Sequence, residues 1–129
     1  MAEHQLDRAL RLFLDDKDYV SAITLAGASE EIFGELLKAQ GKEHALDSFI
    51  RACVETGKIV FKEDWPRKHF AEMANYFRNG LKHYVDGESI SVPRAAAIEI
   101  LDRAIENCWS LTGHETSNVR RFMEEAHGC

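Results

Sequence analysis

The stretch Tyr19-Val20-Ser21-Ala22-Ile23-Thr24-Leu25-Ala26-Gly27-Ala28-Ser29-Glu30-Glu31-Ile32-Phe33-Gly34-Glu35-Leu36-Leu37-Lys38-Ala39-Gln40-Gly41 decides the fold. Ala22, Ala26, Phe33 and Leu37 recur at helical spacing, and Ile23, Leu25 and Leu36 widen the stripe. Asp18 stands ahead of it as an N-cap and Gly41 behind it as a stop, which predicts a helix over residues 19–40. Gly27 and Gly34 share a face, and each costs roughly 1 kcal/mol against alanine in a helix. Such small residues permit close approach of another backbone. Two settings are open, tight packing inside one subunit and a subunit interface.

The helical period continues on both sides. Leu6, Leu10 and Phe13, with Leu14, predict a first helix over about 3–15, interrupted by Asp15, Asp16 and Asp18. A third helix is predicted over 43–56, with Ala45, Phe49, Ala52 and Cys53 inward and Gly57 as its stop. Lys58 to Trp65 reads as a connector in which Ile59-Val60-Phe61 forms either an extended turn or a plug over the core. Asp64-Trp65-Pro66 opens a fourth helix carrying Phe70, Met73, Ala74, Phe77 and Leu81. Asn79-Gly80 is a turn dipeptide inside that pattern, so the helix is expected to kink or restart there. Asp86 to Ser89 reads as a loop, and Ser91-Val92-Pro93 opens a fifth helix. Its expected core face is Ile98, Leu101, Ile105, Cys108 and Trp109, with Gly113 at its end, and a short last helix covers about 116–126. There is no internal repeat or linker. The expectation is all-α: a single helical domain over 1–129, built as a compact bundle of five to six helices.

Composition agrees with one globular domain. The chain has 129 residues, 45% hydrophobic and 29% charged with two prolines, which excludes disorder, collagen and low complexity. The apolar runs fall well short of the ~20 residues of a membrane span. Met1-Ala2-Glu3-His4 has no basic segment followed by an apolar one, so no secretory leader is expected. The net charge of −6 repels a phosphate backbone at long range, which disfavours coating nucleic acid and leaves room for a small local basic site. Three widely spaced cysteines make neither a disulfide framework nor a zinc pattern, so reduced thiols and a cytoplasmic location are expected. Cys53 and Cys108 read as small core residues, and Cys129 as exposed. The histidines at 4, 44, 69, 114 and 127 lack ligand-like spacing and read as surface residues. Phosphate-loop, HExxH, GxSxG and CxxC motifs are absent, and no metal or cofactor is expected.

One segment stands apart: Asn75-Tyr76-Phe77-Arg78-Asn79-Gly80-Leu81-Lys82-His83-Tyr84. Arg78 can hold a phosphate through two parallel hydrogen bonds, and His83 can move a proton near neutral pH. Together they suit attack on an RNA phosphodiester by its own 2′-hydroxyl, which needs proton transfer and charge stabilisation and requires no metal. On a straight helix Arg78 and His83 lie about 140° apart, whereas Asn79 and His83 are neighbours. A break at Asn79-Gly80, or a second subunit, would have to bring the partners together.

Arg78-Asn79 followed by His83 resembles the motif of the HEPN (higher eukaryotes and prokaryotes nucleotide-binding) superfamily, and Tyr84 is compatible with it. The stretch from Ala22 to Phe33 is similar to that superfamily's alanine-rich helix bearing an acidic residue, and the general pattern extends over about residues 5–112. Glu30 shares the face of Ala26 and Phe33, whereas Glu31 falls beside Gly27 and Gly34. Glu30 is therefore the acid expected to point into the bundle and orient Arg78 or His83, since a buried acid needs such a partner. A surface charge at the helix edge is the other reading. The resemblance implies a HEPN-like bundle that forms a homodimer with one composite RNA-cleaving site. It further implies a metal-independent RNase of toxin or defence type, acting on RNA or a nucleotide, with an antitoxin as partner if it is a toxin. Arg78 would hold the phosphate, His83 would be general acid and base, Asn79 would add a hydrogen bond, and Lys82 and Tyr84 would line the binding site. Two other functions fit the same residues. One is a non-catalytic module that binds a nucleotide or another anion, and the other is a helical interaction protein that dimerises through the Gly27/Gly34 face.

Overall fold

The computed structural model describes residues 1–82 and 92–128, with the helix backbone alone at 80–82. The loop expected at Asp86–Ser89, the entry residue Ser91 and Cys129 lie outside the described residues. Every described element is helical: α1 (Ala2–Leu14), α2 (Tyr19–Ala39), α3 (Ala45–Thr56), a π-helical turn (Gly57–Phe61), α4 (Arg67–Ala74), α5 (Tyr76–Lys82), α6 (Arg94–Thr112) and α7 (Ser117–His127). Seven α-helices are thus described where five to six were expected, because the predicted fourth helix is two.

The helix ends follow from capping chemistry. The Asp18 carboxylate accepts from Ser21 N at 3.1 Å and starts α2. Thr116 caps α7 through Val119 N, and Gly113, at φ +72°, terminates α6. His44, expected as a solvated side chain, instead caps α3 through Asp47 N and packs over Gly34.

The main core is formed by α1, α2, α6 and α7. Leu6, Leu10 and Phe13 meet Ala22, Ile23 and Phe33, then Ala97, Leu101 and Ala104, with Phe122 closing one end. Phe13 and Phe122 meet edge-on, with centroids 5.2 Å apart. Two predicted stripes face elsewhere. On α6 the buried line is Ala96, Ala97, Ile100, Leu101, Ala104 and Asn107, rotated from the expected one, and Trp109 is 54% exposed. On α3 the buried side chains are Ala45 and Ile50, while Phe49 and Ala52 face out and Cys53 is half-buried. Leu36 and Met73, placed inward by their period, are exposed as well.

Gly57 does not stop the chain. It leads into the π turn, where an added Cβ would lie 2.6 Å from the Trp65 ring. The turn wraps that indole, and the actual stop is Lys62, left-handed at φ +55°. Ile59, Val60 and Phe61 consequently point outward, 77%, 65% and 56% exposed, and are not a plug.

On the α3 surface, Arg51 forks onto Glu43 at 2.9 and 3.1 Å, and Ser48 adds a bond of 2.7 Å. Those bonds, led by Arg51, hold the Glu43 carboxyl down to about 2. A depressed carboxylate contributes fully above its unfolded value of 4.5 and loses that contribution as pH falls through about 2. A carboxyl-carbon NMR titration is expected to place the Glu43 midpoint there. A midpoint at the ordinary glutamate value would mean the fork does not persist in solution.

Candidate functional site

The site is built where α2, α5 and α6 meet. Glu30 lies on the inner face of α2, only 4% exposed. Its Oε1 accepts from Arg78 Nη1 of α5 at 2.9 Å, and its Oε2 accepts from Arg103 Nε of α6. Burying a carboxylate is costly unless it is paired and hydrogen-bonded, and here both oxygens are engaged. Glu31, half exposed, stands 3.4 Å from the same Arg78 nitrogen. Among the described residues, Arg78 makes its ion pairs through Nη1 alone.

Gly27 explains how Arg78 reaches Glu30. A Cβ at Gly27 would lie 2.6 Å from Arg78 Cδ and 2.9 Å from its Cγ, so the arginine stem lies directly across the α2 backbone. The close approach at this glycine is therefore made by a side chain of the same chain, and Gly34 likewise faces His44. Gly27→Ala gains up to ~1 kcal/mol of helix propensity but overpacks the stem at a cost of ~1–3 kcal/mol. A net loss of about 1 kcal/mol is expected by urea denaturation. A variant more stable than the parent would mean that the stem moves aside freely.

Arg103 was not anticipated, and it organises the neighbourhood. Its Nη2 donates to Ala74 O at 3.3 Å and to Asn75 Oδ1 at 3.2 Å. A guanidinium thus occupies the C-terminal end of α4, where free carbonyls and the helix dipole favour a cation. This explains why the chain breaks at buried Asn75 (φ −104°, ψ 8°) and runs on helically through Asn79-Gly80, where a break was expected. Asn107, one turn beyond Arg103, is nearly fully buried. Its Oδ1 accepts from Ala45 N at 2.7 Å, and its Nδ2 donates to Glu30 O at 3.3 Å. One signal for both residues existed in the sequence: with Ala96 and Ile100 they repeat at three- and four-residue spacing, so two polar side chains share an apolar line.

The structure therefore joins Glu30 to Arg78 and leaves Asn79 exposed on α5. Lys82 lies in the helix backbone without a described side chain, and His83 and Tyr84 lie outside the described residues. No cluster of three His, Cys, Asp or Glu side chains suited to a metal ion occurs among the described residues, nor is any described helix long and apolar enough to cross a membrane.

Beside this cluster runs a groove of about 940 Å³ along the outer side of α6, between α3 and α4 on one side and α7 on the other. Phe49, Met73, Ile105, Trp109 and Met123 line it, and Arg103 forms part of its wall. Cys108 is half-buried at its edge, and burial pushes its thiol above the usual range, so it is not a reactive thiolate. Comparison of the chain with protein-family models, with curated proteins and with solved structures finds no match.

Proposed function

We propose that the chain is a HEPN-like protein whose Arg78–His83 segment binds an RNA phosphodiester and cleaves it without a metal. The observation that supports this reading is the fixing of Arg78. A buried carboxylate on a neighbouring helix holds one end of its guanidinium at 2.9 Å, and a glycine beneath its stem makes room for it. A cation held in place before the reaction stabilises developing phosphorane charge better than a mobile one. In this mechanism Arg78 carries the phosphate, and His83 takes the 2′-hydroxyl proton and returns one to the leaving 5′-oxygen. Asn79, exposed on the same helix, adds a hydrogen bond to the bound strand, and Lys82 and Tyr84 extend the binding surface. Glu30 positions Arg78 and does not touch the substrate. In the proposal two copies form a composite site, and an antitoxin partner follows if the protein is a toxin.

A second reading keeps the fold and the arginine without the reaction. Glu30 and Glu31 both face Arg78 Nη1 and offset its charge. That favours a small anion such as a nucleotide over a long acidic polymer, given the net charge of −6. The experiment is RNA cleavage by purified protein in EDTA, beside Arg78→Ala and His83→Ala variants checked for folding by circular dichroism. Cleavage that survives EDTA and disappears in both variants is the expected result. Absence of cleavage, together with a thermal shift on adding a nucleotide, would replace the first reading by the second.

A further inference from the structure

Glu30 is shared between two guanidiniums, one on each carboxylate oxygen. Oε1 accepts from Arg78 Nη1 at 2.9 Å, and Oε2 accepts from Arg103 Nε. The Arg103 side of this arrangement is fixed in place. Its Nη2 bonds Ala74 O at 3.3 Å and Asn75 Oδ1 at 3.2 Å, and the side chain is 11% exposed. Glu30 is held from behind as well, because Asn107 Nδ2 donates to its backbone oxygen at 3.3 Å. Both oxygens of the carboxylate therefore have settled, separate partners.

That sharing decides which donors of Arg78 remain. A carboxylate with both oxygens facing one arginine takes it in a fork, two parallel bonds to two nitrogens. Here Arg103 holds Oε2, and Glu30 reaches Arg78 through Nη1 alone. Glu31 stands 3.4 Å from the same nitrogen. Arg78 Nε is buried and has no partner among the described residues. Nη2, likewise without a bond among the described residues, is the nitrogen left to meet a ligand. The charges point the same way. Two guanidiniums on one buried carboxylate leave a positive charge in surplus, whereas Arg78 alone on Glu30 would leave none. Glu31, with its side chain 52% exposed, offsets that surplus through solvent and so only weakly.

We propose that Arg103 is a positioning residue of this site: by occupying Oε2 it keeps Glu30 from closing a fork on Arg78, and so leaves Arg78 Nη2 open to a phosphodiester oxygen. The proposal rests on the phosphodiester reading of Arg78 and deepens it, naming what keeps that arginine both ordered and available. In a buried ion pair these two properties oppose each other, since the bonds that fix a guanidinium also occupy its donors. A second arginine on the same carboxylate separates them. Removing Arg103 is thus expected to leave Arg78 more tightly held and less able to bind. Loss of a merely structural contact does the reverse and loosens it.

The test compares the full chain with Arg103→Met, Arg103→Lys, and Arg103→Met combined with Glu30→Gln, each checked for folding by circular dichroism. NMR reads two quantities. One is rotation of the Arg78 guanidinium about its Cζ–Nε bond, and the other is affinity for a deoxydinucleotide, a phosphodiester with no 2′-hydroxyl to attack. In Arg103→Met the rotation is expected to slow and the dissociation constant to rise about tenfold, the effect of one charge-assisted hydrogen bond. Adding Glu30→Gln leaves a single acceptor oxygen and no carboxylate fork, and is expected to return both quantities to within about threefold of the parent. Arg103→Lys keeps a cation for Oε2 while giving up Ala74 O and Asn75, and is expected to match the parent. If Arg103→Met alone does not fold, the other two variants carry the test. Three results would overturn the proposal: rotation that is unchanged or faster in Arg103→Met, no recovery with Glu30→Gln, or a folded Arg103→Lys chain that has lost affinity. A parent that does not bind the deoxydinucleotide would overturn the phosphodiester reading instead, and the rotation rates would still decide the role of Arg103.

Discussion

Glu30→Ala is expected to remove about 3–5 kcal/mol of folding free energy, a large share of the 5–15 kcal/mol typical of a domain. The carboxylate is nearly fully buried and holds Arg78 and Arg103 together. Its removal strands two guanidiniums in a region of low dielectric. Among the described residues, Arg78 then keeps Glu31 at 3.4 Å, and Arg103 keeps Ala74 O and Asn75 Oδ1. Glu30→Gln is milder, since the amide retains one acceptor for Arg78. Replacing Glu30, Arg78 and Arg103 together by apolar side chains should recover much of the loss, because exchanging a whole buried ionic cluster for apolar groups is often near neutral. Urea denaturation checks the series. A Glu30→Ala loss below about 1 kcal/mol would mean that water reaches the cluster in the folded state.

Phe122→Ala is expected to cost about 3–5 kcal/mol, the usual range for a deleted core aromatic. Phe122 is fully buried against the edge of Phe13, and with Val119 it supplies the buried side chains of α7. An isolated helix of that length is marginal in water, so α7 holds its shape mainly by docking. The variant should lose α7 helicity at denaturant concentrations that leave α2 and α6 intact. Retention of α7 and full stability would mean that the neighbouring side chains collapse into the space.

Where chemistry is local, the amino-acid order was readable. Asp18 opens α2 through a bond to a nitrogen three residues on, and Gly113 closes α6 because its φ is positive. The burial of Glu30 was also readable, since its angle on α2 follows from counting residues against Ala26 and Phe33. What periodicity leaves open is which neighbour a face meets. The α3 stripe has the correct period, yet Phe49 and Ala52 face solvent because no described helix covers them. The chain breaks at Asn75 and not at Asn79-Gly80 because Arg103, a residue 28 positions away, binds the carbonyl and amide there. Turn propensity is a weak local preference, and a charged side chain at a helix end overrides it. Arg103 and Asn107 went unnoticed for a related reason: two polar residues on an apolar line look like interruptions until the groups they satisfy are in view.

The main core comprises α1, α2, α6 and α7, whereas α3 and α4 bury only Ala45, Ile50 and Phe70 and are tied on by the Asn107 and Arg103 hydrogen bonds. Such an arm can detach by itself, since sections with few apolar contacts open at lower cost than the whole domain. Each detachment takes the Ala74 carbonyl and the Asn75 amide away from Arg103 and wets Glu30 while α1, α2, α6 and α7 stay packed. The buried charges therefore exchange with bulk water on the arm's clock, not on that of global unfolding.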